Sequence, residues 1–235
     1  MNVKETCAAI CSLKIQGAEQ VTSAALLSLK DLLQHTKAKN TDSLLQELDH
    51  AQIQLFAARP TEPELRNYLN MFFQKIESID EENLQKYKQQ INKEITLLIK
   101  EKEERKQQII MWGDTLIENH AKVYTHCHAS TVTAILRKAN KRKHITVYNT
   151  ETRPSFQGRI TATELAQDGI PVHHFVDALM CQAIQKADLI LIGADAISSE
   201  GVYNKVGSEL LAILANHYHK ALYVCASLYK YDPHR

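Results

Sequence analysis

The chain has 235 residues, 44 % of them hydrophobic and 23 % charged, with a formal net charge of +1. That is enough apolar material for two small domains or one large one, and a charge balance that singles out neither nucleic acid nor an anionic membrane surface as partner. No apolar run approaches the ~20 residues that span a bilayer, and the start, with Glu5 and no long apolar stretch, does not read as a signal peptide.

Residues 1 to 118 read as a helical domain. Only Gly17, Pro60 and Pro63 interrupt the sequence before Gly113. Cys7 and Cys11 lie four apart on one predicted helix face. The five cysteines are odd in number and widely spread, so neither a disulfide framework nor a zinc site is expected, and a cytoplasmic location is. Val21, Ala24, Ala25, Leu29, Leu32 and Leu33 recur at helical spacing, as do Leu44, Leu45, Leu48 and Ile53. Thr61 is the predicted N-cap of the next helix, with Pro63 in its first turn and Glu64 at the capping-box position. After Asp80 a long charged segment carries one apolar stripe, Leu84, Tyr87, Ile91, Ile95, Leu98 and Ile99. It reads as an amphipathic helix packed on its neighbours. The interleaved glutamates argue against a nucleic-acid helix.

Residues 119 to 235 change period. Short apolar runs at 122–125, 145–149, 172–176, 189–192 and 221–226 are predicted strands. Helices are predicted between them, at 129–139, 162–167, 178–185 and 205–217. Repeated strand–helix units imply a Rossmann-like parallel sheet with helices on its faces. Ligands then belong at the carboxyl ends of the strands.

The residues after those strands carry chemistry. The first strand leads into Thr125-His126-Cys127-His128-Ala129-Ser130-Thr131. A cysteine before a helix N-terminus can have a lowered pKa, and His126 and His128 would add to this if protonated. The amides there, with the Ser130 and Thr131 hydroxyls, suit a phosphate. Read alone, Cys127 is better taken as a small buried residue, with His126 and His128 incidental. The second strand leads into a loop with Arg153, Gly158 and Arg159, an anion site or a structural ion pair. The fourth runs into Gly193-Ala194-Asp195, where the carboxylate either enters the crevice or caps a turn. Asn204 and Lys205 are further candidate phosphate contacts, although their loop read alone is better taken as a capping asparagine and a solvated lysine; Lys230 is a second candidate phosphate cation. No GxGxxG or GxxxxGK[ST] loop occurs, so dinucleotides and nucleoside triphosphates are poorly supported.

Taken together, THCHAST, ETRPSFQGR with ITATELAQDGIPV, GADAI and NKVGS resemble one family. It joins ribose-1,5-bisphosphate isomerases, methylthioribose-1-phosphate isomerases and the alpha, beta and delta subunits of initiation factor 2B. The match is strong over residues 122 to 232 and extends weakly to IQGA and ARPTEP. The resemblance implies a helical N-terminal domain, a Rossmann-like C-terminal domain, and a homodimer or higher oligomer. It implies an aldose–ketose isomerase of a phosphorylated sugar, of the ribose 1,5-bisphosphate type, with Cys127 and Asp195 as the catalytic pair. Substrate contacts would fall on Gly17, Ala18, Arg59, Ala129, Ser130, Thr131, Asn204, Lys205 and Lys230. It implies no metal or other cofactor, and no nucleic-acid or membrane partner. For Asp195 to act as an acid, burial would have to raise its pKa from the reference value of about 3.9.

Two features depart from the family. Gln16 stands where an arginine phosphate contact is usual, and the chain stops at Arg235, where family members continue, so the α/β domain is expected to be truncated relative to them. Both fit a second reading, a non-catalytic subunit of the initiation-factor-2B type that binds a nucleotide or sugar phosphate and a protein partner. Retention of both Cys127 and Asp195 favours the enzyme.

Overall fold

The computed structural model describes residues 1–234, in two compact units. The first comprises Met1–Glu104 and the segment from Tyr229 on, the second Arg105–Leu228.

The first unit is helical throughout: α1 (Val3–Cys11), α2 (Ala18–His35), α3 (Thr41–Ala58), α4 (Pro63–Glu77) and most of α5 (Leu84–Thr115). The predicted stripes face its core, where Val21, Ala25, Leu29, Leu44, Leu48, Ile91, Ile95 and Leu98 are buried. Full burial of each larger side chain contributes about 1.5–3 kcal/mol. Asn2 caps α1: its side chain accepts from the Glu5 amide at 2.9 Å, and Glu5 returns to the Asn2 amide at 3.2 Å. At α4 the expectation fails. Pro63 is in the first turn, but Glu62, not Thr61, is the N-cap, and no side-chain cap bond forms. Glu64 is instead buried, with Lys230 3.8 Å from its carboxylate. The C-terminal segment is tied to this unit. Tyr229 stacks on Tyr68, with ring centroids 4.5 Å apart. Asn67 donates to the carbonyls of Tyr229 and Tyr231 at 2.7 and 2.8 Å.

The second unit alternates strand and helix: β1 (Lys122–Thr125), α6 (Ser130–Lys143), β2 (Thr146–Thr150), α7 (Gln157–Gln167), β3 (Val172–Phe175), α8 (Met180–Lys186), β4 (Leu189–Ile192), β5 (Ala196–Ile197), β6 (Val202–Tyr203), α9 (Ser208–His217) and β7 (Ala221–Val224). Five strands form a parallel sheet in the order β3-β2-β1-β4-β7. Alternate residues feed opposite faces, as the period of two requires. Val123, Val147, Leu189 and Leu191 pack with Val132, Ile135 and Leu136 of α6. Tyr124, Tyr148, Ile190 and Ile192 pack with Ile184 of α8 and Leu211 of α9.

Three local expectations are corrected. α7 begins at Gln157, not Ala162, because Gly158 lets the helix start hard against β2. A Cβ at Gly158 would lie 1.8 Å from the Thr150 carbonyl oxygen. α9 begins at Ser208, not Lys205, since Gly207 takes φ +99° and Ser208 bonds back to the Lys205 carbonyl through its amide and hydroxyl. Between β4 and α9 the chain makes an unexpected antiparallel hairpin, β5 with β6. Among the described residues no helix is long and apolar enough to cross a membrane.

Candidate active site

The sheet order creates the site. From β1 the chain winds outward to β2 and β3, then returns to the other side of β1 as β4. The carboxyl ends of β1 and β4 therefore flank the point where the winding reverses, which is where crevices open in such sheets. Cys127 follows β1 and Asp195 follows β4. Gly193 lets their loops meet: a Cβ on it would lie 2.8 Å from the Ala129 Cβ.

Cys127 is held in a strained backbone conformation, with φ +68°. Non-glycine residues in this region cost of order 1–3 kcal/mol and persist only where the surroundings enforce them. Here both its backbone groups are bonded. Its amide donates to Thr152 Oγ1 at 2.9 Å, and its carbonyl accepts from Thr161 Oγ1 at 2.9 Å. The Thr152 loop is anchored by Asp177, whose carboxylate accepts the Thr152 and Arg153 amides at 2.8 and 2.7 Å.

The thiol is not activated in the expected direction. Burial pushes the Cys127 pKa up, and the nearby Asp195 charge adds to this. The His128 amide and the Lys205 ammonium pull the other way without reversing the result. Both charges thus act on the Cys127 thiol, in opposite directions.

The flanking histidines are also not thiolate-promoting cations. Burial lowers the pKa of both. His126 is 2 % exposed, with Nε2 2.9 Å from the Val206 carbonyl oxygen and Nδ1 2.9 Å from Thr150 Oγ1. His128 Nδ1 lies 3.0 Å from Thr161 Oγ1. The Thr161 hydroxyl already donates to Cys127, so the His128 nitrogen is the donor there. The two rings brace the cysteine loop from either side. The sequence leaves the two histidines as conditional charges; their partners, Thr150 at the end of β2 and Thr161 within α7, are set by tertiary packing.

Of the predicted site residues, Cys127, Ala129, Ser130, Thr131, Asp195, Asn204 and Lys205 belong to the α/β unit. Ser130 and Thr131 open α6, so their amides lie at its N-terminus. Asn204 holds its own loop, donating to Ser208 Oγ at 2.9 Å. Asp195 is exposed and donates its amide to the Tyr203 carbonyl at 2.8 Å. Gly17, Ala18, Arg59 and Lys230 belong to the helical unit. Gly17 is the N-cap of α2, with φ +78°. Arg59 faces Glu62 at 3.7 Å, as Lys230 faces Glu64. A separate cleft of about 630 Å³ opens between α7 and edge strand β3, lined by Glu151, Arg159 and His174, and neither Cys127 nor Asp195 borders it.

Known proteins resemble this chain in sequence and fold. A ribose 1,5-bisphosphate isomerase from Pyrococcus furiosus is 33 % identical over 228 residues, covering 95 % of this chain and 70 % of that protein. The crystal structure of a 5-methylthioribose 1-phosphate isomerase from Pyrococcus horikoshii matches with a TM-score of 0.88 at 27 % identity, over 100 % of this chain and 69 % of that one. A structure described as translation initiation factor eIF-2B from the same organism matches with a TM-score of 0.85 at 25 % identity, over 98 % and 80 % of the two chains. Residues 14–235 match the model of the Initiation factor 2 subunit family. With the motifs, the sheet order and these likenesses in agreement, the chain belongs to that family.

Proposed function

We propose that the protein is an aldose–ketose isomerase of phosphorylated sugars, acting on ribose 1,5-bisphosphate, with Cys127 and Asp195 as its catalytic residues. The observation that supports this reading is that Cys127 follows β1 and Asp195 follows β4, the two strands that flank the switch point, with Gly193 packed against Ala129 between their loops. The 33 % identity to an isomerase of that substrate supports the choice of sugar.

The chemistry follows from the protonation of the thiol. Opening the furanose breaks the C1–O4 bond and puts a proton on O4. Hydrogen must then move from C2 to C1, and the C2 hydroxyl must lose its proton to become a carbonyl. Burial keeps Cys127 a thiol, so it donates to O4. The Asp195 carboxylate takes the C2 proton and returns it at C1. The C2 hydroxyl proton goes back to the Cys127 sulfur, and both groups end as they began. Asp195 is exposed in the chain, so bound substrate completes the exclusion of water around it. Lys205, Asn204 and the α6 amides with Ala129, Ser130 and Thr131 bind phosphate in this scheme. We assign the domain boundary to residues 118/119, where the sequence changes period, whereas the compact units divide after Glu104, within α5; we assign the assembly to a homodimer or higher oligomer and the compartment to the cytoplasm.

A second reading is favoured by the likeness to eIF-2B over 98 % of the chain. In it the same crevice binds a nucleotide or sugar phosphate without turnover, and the protein acts through a protein partner. Incubating the purified protein with ribose 1,5-bisphosphate, and separately with methylthioribose 1-phosphate, separates the readings. Ketose formation from the bisphosphate supports the isomerase. Saturable binding with no ketose from either sugar contradicts it and supports the second reading.

A further inference from the structure

His126 links the cysteine loop to the lysine loop. A carbonyl oxygen only accepts, so the Nε2 nitrogen 2.9 Å from the Val206 carbonyl carries the hydrogen. In the neutral ring Nδ1 then accepts, from Thr150 Oγ1 at 2.9 Å. The Tyr124 hydroxyl, 3.0 Å from the same oxygen, donates in turn to Thr150. Tyr124, Thr150 and His126 are all buried, so this chain of bonds has no water to replace a lost member.

The ring also shapes the backbone beyond Val206. Gly207 lies flat against it: a Cβ there would stand 2.9 Å from Nε2 and 3.3 Å from Cε1. With φ +99°, Gly207 takes a conformation that side chains rarely adopt. Within the same segment, the Ser208 amide and hydroxyl donate to the Lys205 carbonyl at 3.0 and 2.7 Å. Residues 205–208 are thus held between the His126 ring and the start of α9. The side chain this presents is Lys205, whose charge is felt by both Cys127 and His126.

We infer that His126 is a positioning residue, which fixes the segment that carries Lys205 through its hydrogen bond to the Val206 carbonyl and its contact with Gly207, and so sets how strongly the Lys205 charge acts on Cys127. It touches no reacting atom. Its effect on turnover rests on the isomerase reading above; its effect on the thiol does not.

The test is the pH midpoint of Cys127 alkylation by iodoacetamide, followed by mass spectrometry of the Cys127 peptide in the intact chain. Lys205→Met is expected to raise the midpoint by up to about one pH unit, since it removes a cation beside the thiol. His126→Leu is expected to raise it in the same direction. The double variant is expected to shift no further than Lys205→Met alone, because the two act through one interaction. His126→Gln, whose amide can donate to the Val206 carbonyl, is expected to restore most of the wild-type midpoint. Additive shifts in the double variant, or an unmoved midpoint in folded His126→Leu, overturn the inference. So does an unmoved midpoint in Lys205→Met. Should His126→Leu not fold, Gly207→Ala, which pushes the segment off the ring, carries the same expectation and the same refutation. Loss of the isomerase reading would show separately, as absence of turnover in the wild-type protein with these shifts intact.

Discussion

Gly193 and Ala129 approach so closely that one added methyl group on Gly193 would lie 2.8 Å from the Ala129 Cβ. This contact joins the loop after β4, which carries Asp195, to the loop after β1, which carries Cys127. Gly193→Ala must therefore drive the two loops apart. Displacements of about 1 Å at a reacting pair can reduce rate ~10²-fold. We expect kcat/KM for sugar-phosphate isomerisation to fall by roughly that factor, with the far-UV circular dichroism spectrum unchanged. Full activity in a folded Gly193→Ala variant would contradict the stated role of the contact.

The thiol's surroundings predict opposite effects of two neighbours. Burial raises the Cys127 pKa and Asp195 raises it further, while the His128 amide and Lys205 lower it. Asp195→Asn should therefore move the alkylation midpoint of Cys127 down. Lys205→Met should move it up. Shifts of the same sign in the two variants would exclude this electrostatic arrangement.

Stability should depend on the bracing histidines. Burial holds His126 and His128 below the ordinary value of about 6.5, against the raising influence of Asp177 on one and Glu164 on the other. Lys205 and Arg137 push the same way as burial. An unfolded histidine takes up its proton at about pH 6.5, and the folded ones resist it. Below that pH the unfolded chain binds more protons, so stability falls as pH drops through the window beneath 6.5. The urea midpoint should be lower at pH 5.5 than at pH 7.5, with the difference reduced in His126→Gln. A midpoint equal or higher at pH 5.5 would reverse the sign of the argument.

Gly158 is the position least tolerant of a side chain. Its added Cβ would stand 1.8 Å from the Thr150 carbonyl oxygen, a backbone atom that cannot swing aside. Overpacking typically costs about 1–3 kcal/mol, occasionally more. Gly158→Ala should lose at least about 3 kcal/mol, read as a lowered thermal midpoint. A wild-type midpoint would show that α7 can move away from β2 freely.

The architecture was legible where periodicity was strong. Leu84 to Ile99 announced α5, and the alternation of strand and helix from Lys122 onward announced the parallel sheet. The placement of Cys127 and Asp195 at strand ends followed from that alternation alone, whereas their pairing came from the resemblance. What escaped was set by tertiary contacts. The β5–β6 hairpin has two residues per strand, too few to show a period. The start of α7 depends on Gly158 lying against β2, and the start of α9 on the His126 ring against Gly207. Thr61 had the composition of a cap, but Glu64, its expected partner, is engaged with Lys230. The sign of the Cys127 shift depends on burial, which a local reading of histidines beside a helix N-terminus does not contain.

The central claim is that Cys127 and Asp195 act together on a sugar phosphate. The most direct measurement is the rate of ribulose 1,5-bisphosphate formation from ribose 1,5-bisphosphate, followed by phosphorus NMR for the wild-type protein, Cys127→Ser and Asp195→Asn. Proton transfer by a positioned group contributes ~10²–10⁴-fold. Turnover by the wild-type protein is expected, with a loss within that range in each variant and substrate still bound. Unchanged turnover in both variants would contradict it.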